Sequence, residues 1–216
     1  MRQGWGGIVP AAVLAALLFT PGQSGATRIR PGTISLGGQI EYSGLYGGTY
    51  LARAFDQAGV GFAVKVRYRM RNGFVLGATF TEQFYHPSRT QPFVQSGDSS
   101  DVDKLSVVTA GLELGRVFGS TEHPYYFLIG AGVWSPTAFP VSGLAYEKNK
   151  TDRLYLSGTL GTEIFFRRSV TVDLSLRGLI HADDQTSYFY PGDPQGPTKL
   201  DHELQMAAGV HFYVLD

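Results

Sequence analysis

From residue 33 onward the chain places apolar side chains at every second position, in eight segments separated by turn-forming residues. A period of two sends successive side chains to opposite faces, so each segment predicts a strand with one apolar face. The first, about 33–43, sets Ile34, Leu36, Ile40 and Tyr42 against Ser35, Gly37, Gln39 and Glu41. The second, about 59–70, alternates Val60, Phe62, Val64, Val66, Tyr68 and Met70 with Gly61, Ala63, Lys65, Arg67 and Arg69. The third, about 74–84, sets Phe74, Leu76, Ala78 and Phe80 against small and polar residues; the fourth, about 105–118, sets Val108, Ala110, Leu112 and Leu114 against a face that includes Glu113. Segments at about 125–134 and 154–166 follow, the latter with Glu163 on its polar side. A seventh carries Asp173 and Arg177 opposite Val172, Leu174, Leu176 and Ile180, and an eighth, about 203–214, carries His211 and Tyr213 opposite Val210 and Phe212.

The connections fix how these strands are joined. Residues 71–73, 119–124 and 167–169 are short links, whereas 44–58, 85–104, 135–153 and 182–202 are long and rich in Gly, Pro, Ser and Asp. Arg71-Asn72-Gly73 is a hairpin signal, because Asn-Gly tolerates the positive φ of a tight turn. Short turns at one end and long loops at the other are the pattern of outer-membrane barrels, and each strand reaches the ~9–11 tilted residues a bilayer requires. The expected fold is all-β: an eight-stranded antiparallel up-and-down transmembrane β-barrel, with both chain ends on the periplasmic side.

Alternation alone does not say which face points outward. A soluble eight-stranded barrel would bury the apolar face and expose the polar one. Here the polar face is mostly Gly, Ala, Ser and Thr, which suits a crowded interior better than a solvated exterior. It also carries four acids, Glu41, Glu113, Glu163 and Asp173, and four bases, Lys65, Arg67, Arg69 and Arg177. Equal numbers suit a confined lumen, where an unpaired charge costs several kcal/mol. The apolar face ends near the turns in Tyr68, Phe74, Tyr125, Phe166 and Phe212, the expected place for an aromatic girdle. Both features turn the apolar face toward lipid. Arg116 then falls on the lipid face near the periplasmic rim, where a bulge or snorkelling has to accommodate it.

The first 26 residues stand apart. Arg2 and the apolar run Ile8 to Phe19, broken by Thr20-Pro21-Gly22 and followed by Ser24-Gly25-Ala26, predict a secretory signal cleaved after Ala26. The run is shorter than the ~20 residues of a spanning helix. Residues 27–216 are expected to form the barrel domain. With 18 basic against 18 acidic residues, the chain offers no electrostatic footprint for nucleic acid. It has no Cys, which rules out a disulfide framework and a lipid-anchored lipoprotein.

On Ile34-Ser-Leu-Gly-Gly-Gln-Ile-Glu-Tyr42, Pro124-Tyr-Tyr-Phe-Leu-Ile-Gly-Ala-Gly-Val133 and the closing strand, the chain resembles the small OmpA/OmpX-like outer-membrane β-barrels. The resemblance covers nearly all of residues 27–216 and implies outer-membrane lipids as surroundings and the barrel-assembly machinery as a partner during biogenesis. Members of that family commonly end on an aromatic residue read by this machinery. This chain ends Phe212-Tyr-Val-Leu-Asp216 and keeps only part of that signal, in Gly209, Phe212 and Val214.

Candidate chemistry is sparse. His86-Pro87-Ser88, with Asp98, Asp101 or Asp103 downstream, formally matches the His-x-Ser arrangement of lipid A deacylase-like barrels, in which a carboxylate orients the base for the nucleophile. Pro87 lacks a ladder donor and marks a strand end, which places the pair in a loop. His181 with Asp183 and Asp184 has no neighbouring Ser, and His211 reads as a hydrogen-bonded lumen histidine. The acids of Ser96 to Asp103 lack the spacing of a calcium loop and read as solvated, and Tyr188-Phe189-Tyr190 could anchor a partner at the cell surface. The leading expectation is a noncatalytic barrel with no cofactor or metal, an envelope-structural or surface-interaction role, and an extracellular partner engaged by its loops. The alternatives are a narrow channel and a lipid A-modifying enzyme.

Overall fold

The computed structural model describes residues 31–47, 55–87, 102–119, 123–140, 152–167, 169–183 and 199–214. Branched and aromatic residues at alternate positions favour a pleated chain, and each alternating segment forms a strand: β1 Ile34–Gly47, β2 Phe55–Arg69, β3 Phe74–Pro87, β4 Val102–Gly119, β5 Pro124–Pro140, β6 Arg153–Arg167, β7 Val170–Asp183 and β8 Lys199–Val214. Each strand pairs with the next and β8 closes on β1, giving a barrel with no open edge. All pairings are antiparallel. At the turn after β2, Asn72 takes φ 61° and ψ 24°, Gly73 takes φ 78°, and the Phe74 N–H donates to the Arg71 carbonyl. The sequence places Asn-Gly where left-handed backbone is needed.

Accessibility follows the period of two along most of each strand, with buried runs at 43–45, 105–107, 134–136 and 173–175. Ile40 is 72% exposed, Leu112 64% and Leu154 78%, while Lys65, Arg67, Glu163 and Asp173 are 2% or less. Tyr68, Phe74, Tyr125, Phe166 and Phe212 all face outward at the end that bears the short turns. An exterior this apolar is stable only against hydrocarbon, where a closed ladder satisfies every backbone group. Leu112, midway along β4, tests the orientation. Leu112→Arg is expected to destabilise the barrel by about 2–4 kcal/mol, read as a lower urea midpoint in lipid vesicles. An unchanged midpoint would place Leu112 outside the hydrocarbon.

At the opposite end the strands continue into the segments that composition marks as loops. β1 runs to Gly47, β3 to Pro87, β5 to Pro140 and β7 to Asp183, while β4 reaches 18 residues and β5 17. The ladder is made by backbone groups, so strands extend above the membrane wherever neighbours pair, whatever their side chains. Bulges between Phe55 and Gly59 and between Val102 and Lys104 absorb the irregular sequence there. His86 accordingly lies on β3, exposed, rather than in a loop, and Pro87 is the last residue of that strand. Arg116 sits in an unbroken part of the ladder opposite Phe74 and Phe127, so no bulge accommodates it.

Candidate functional site

The inward residues meet across the lumen. Arg67 on β2 reaches the far wall, with Nη1 2.9 Å from Glu163 on β6 and 2.7 Å from Asp173 on β7. Its guanidinium lies 4.2 Å from the centre of the Tyr126 ring, and Nη2 donates to the Tyr126 hydroxyl at 3.0 Å. That hydroxyl is 2.9 Å from both Asp173 oxygens, and Gln39 Nε2 donates to the same carboxylate. Arg69 adds a 2.8 Å bridge to Glu163, which also accepts from the Tyr213 hydroxyl. Below this cluster, Val75, Tyr126 and Leu128 pack together with Val117 against them. Buried ions need such multiple hydrogen bonds to offset the loss of water.

A second, looser group occupies the middle. Arg177 Nε lies 3.6 Å from Glu113 Oε1, and Nη2 donates to the Tyr155 hydroxyl at 2.8 Å. Thr159 donates to Glu113 at 3.3 Å. Glu41 accepts from Gln83 at 3.0 Å, whereas Lys65 Nζ has no hydrogen-bond partner among the described residues. The structure therefore joins Arg67, Arg69, Glu163 and Asp173 in one cluster and Arg177 with Glu113 in another, and leaves Glu41 and Lys65 outside both.

The outer end of the lumen is closed by groups that the sequence reading did not single out as site residues. The Tyr85 hydroxyl sits 2.8 Å from Ser43 Oγ, 2.7 Å from Gln83 Oε1 and 2.9 Å from Glu203 Oε1. Trp134 donates its indole N–H to Glu203 at 3.1 Å and stacks on His181, with ring centres 4.1 Å apart. Arg153 approaches the same indole at 5.3 Å. Glu203 and Asp201 are buried, so the lumen acids among the described residues outnumber the lumen bases and the expected equality does not hold. The signal was present in the sequence: Glu203 and Asp201 continue the inward register of Gln205, as His181 continues that of Arg177.

The remaining candidates separate. His211 is fully buried, but neither ring nitrogen has a hydrogen-bond partner among the described residues, and Asp173 lies 3.9 Å away. The expected hydrogen-bonded histidine is instead packed on Gly37, where a Cβ would come within 2.3 Å of its ring. Ser88, Asp98, Asp101, Asp184 and Tyr188-Phe189-Tyr190 lie outside the described residues, as does the segment 1–26. Asp103 and Asp183 are on strands. Among the described residues no group of three or more His, Cys, Asp or Glu side chains could hold a metal ion. On the lipid-facing side, a cavity of about 350 Å³ opens over the adjacent Gly158 and Gly178, bordered by Leu156, Ile180 and Leu204.

A closed eight-stranded wall, apolar outside and charged within, defines an integral transmembrane β-barrel, and the apolar belt on this fold locates it in the bacterial outer membrane. Comparison with solved structures gives the same fold. Neisserial surface protein A superposes with a TM-score of 0.57 at 14% identity, covering 84% of this chain and 98% of that one. The outer membrane protein OprG from Pseudomonas aeruginosa superposes with a TM-score of 0.52 at 10% identity, covering 87% and 98%. At these identities the likeness is one of fold. By sequence the chain matches no family model and no curated protein.

Proposed function

We propose that this protein is a noncatalytic barrel that is closed to solutes, supports the envelope, and engages its surroundings through its outer loops. The observation that carries this reading is the reach of Arg67 from β2 to Glu163 and Asp173 on the opposite wall. An eight-stranded barrel has an interior that side chains can fill, and this bridge crosses it. Tyr85, Trp134 and His181, all 1% exposed or less, occupy the outer end as well. The test is conductance of the refolded protein in a planar lipid bilayer. A silent bilayer at an amount of protein shown to be inserted is the expected result. Discrete, reproducible openings would overturn the closed lumen and give the channel reading the lead. Lipid A from cells with and without the protein is expected to be identical, and a protein-dependent change in its acylation would revive the enzyme.

A further inference from the structure

Arg116 is an exposed cation on the lipid-facing side of β4, close to the end that bears the short turns. Its strand neighbours are Phe74 and Phe127, both facing lipid. The guanidinium carbon lies 5.9 Å from the centre of the Phe74 ring. A Cβ placed on Gly73 would lie 3.8 Å from Arg116 Cγ and 3.9 Å from Nε, so the side chain runs from the apolar belt toward the turn at Arg71–Gly73. This is snorkelling, and it delivers the charge to the level of lipid headgroups. Arg71 on that same turn is exposed too. At this end of the barrel the carboxylates of the described residues, Glu113, Glu163 and Asp173, are all buried in the lumen. None lies within ion-pair distance of Arg116 or Arg71 among the described residues. Among the described residues, the rim beside β3 and β4 thus offers positive charge above an apolar, aromatic wall, with no exposed carboxylate to meet it; Glu122 of the β4–β5 turn lies outside them.

We propose that Arg116, with Phe74 beneath it and Arg71 on the adjoining turn, binds the phosphate of an anionic phospholipid in the periplasmic leaflet. Two features select this occupant. A guanidinium presents a planar fork of donors that matches phosphate oxygens. The outward faces of Phe74, Leu76, Leu114 and Phe127 lie directly inward of the headgroup level, each about half exposed, and give acyl chains a continuous surface. A lipid with net negative charge is favoured over a zwitterionic one, because the described residues of the rim supply cations and no exposed carboxylate to balance an attached amine.

Refolded protein can be released by gentle ionisation from micelles doped with equal amounts of phosphatidylglycerol and phosphatidylcholine of matched chain length. The fraction of protein retaining each lipid is then counted. The wild type is expected to retain phosphatidylglycerol preferentially, by about fivefold for each arginine engaged. Arg116→Gln is expected to lose about that factor, and Arg116→Lys to keep part of it as a point charge without the fork. Gel mobility without boiling checks that each variant is folded, which the exposed position of Arg116 favours. Equal retention of the two lipids by the wild type, or an unchanged preference in folded Arg116→Gln, would overturn the proposal.

Discussion

Arg67→Met is expected to destabilise the folded barrel by about 3–5 kcal/mol, the largest effect of any single substitution considered. The change removes the guanidinium that bridges Glu163 and Asp173 at 2.9 and 2.7 Å and stacks on Tyr126. Glu163 keeps Arg69, but Asp173 is left with hydroxyl and amide donors and the histidine 3.9 Å away. A buried carboxylate deprived of its cation is what makes the cost large, since replacing the whole ion pair by neutral groups is often close to neutral. Arg67→Met combined with Asp173→Asn is therefore expected to recover part of the loss. Unfolding in urea from lipid vesicles, followed by gel mobility without boiling, measures both variants. A single variant with the wild-type midpoint would show that the bridge contributes nothing to holding the barrel; a double variant no better than the single would show that the stranded Asp173 is not the source of the cost.

Gly161→Val is expected to cost about 3 kcal/mol or more, combining overpacking with loss of hydrogen bonds to a charged group. Gly161 faces Tyr126 across the β5–β6 pair. A Cβ at this position would lie 2.2 Å from Tyr126 Cζ and from its hydroxyl oxygen. The ring has to move, yet it is the group that holds Asp173 through two 2.9 Å contacts and carries Arg67 on its face. Glycine is required here by the close approach of a rigid ring, not by backbone conformation. Tyr126→Leu in the same chain is expected to relieve the clash but not to restore the hydrogen bonds, so the double variant should fall between Gly161→Val and the wild type. A Gly161→Val midpoint equal to that of the wild type would mean that Tyr126 can swing away freely.

Much of this architecture was readable from spacing alone, for a physical reason. In a strand, position parity fixes the side of the sheet, so Ile34, Leu36 and Ile40 on one side of β1 and Ser35, Gln39 and Glu41 on the other could be sorted directly. Asn72-Gly73 marked its turn because few residue pairs tolerate that backbone. Strand ends were less legible, since the hydrogen bonds that extend β4 and β5 are made by groups common to all residues. This shortfall propagated to the site. Reading the eighth strand as starting near 203 places Asp201 in a loop, and His181 reads beside Asp183 and Asp184 rather than within the lumen, although both keep the parity of their neighbours. Pairing within the lumen was not legible at all. Lys65 and Arg67 share one face of one strand, yet Arg67 alone finds two carboxylates, because the stagger of the closed barrel brings β6 and β7 opposite that level.

The seam between β1 and β8 runs without a bulge from the Ile34–Val214 pair to the Gly47–Asp201 pair, so the first and last strands of the chain are neighbours. The wall is thus incomplete until the final strand has arrived. Before that, β1 presents a bare edge of unpaired amides, and joining segments so distant along the chain carries a loop-closure entropy of several kcal/mol. Contacts of such high sequence separation make folding slow and expose intermediates to misassociation. Closure of the barrel accordingly waits on the arrival of β8. Any device that delivers the chain to the bilayer has to shield that edge until β8 takes its place.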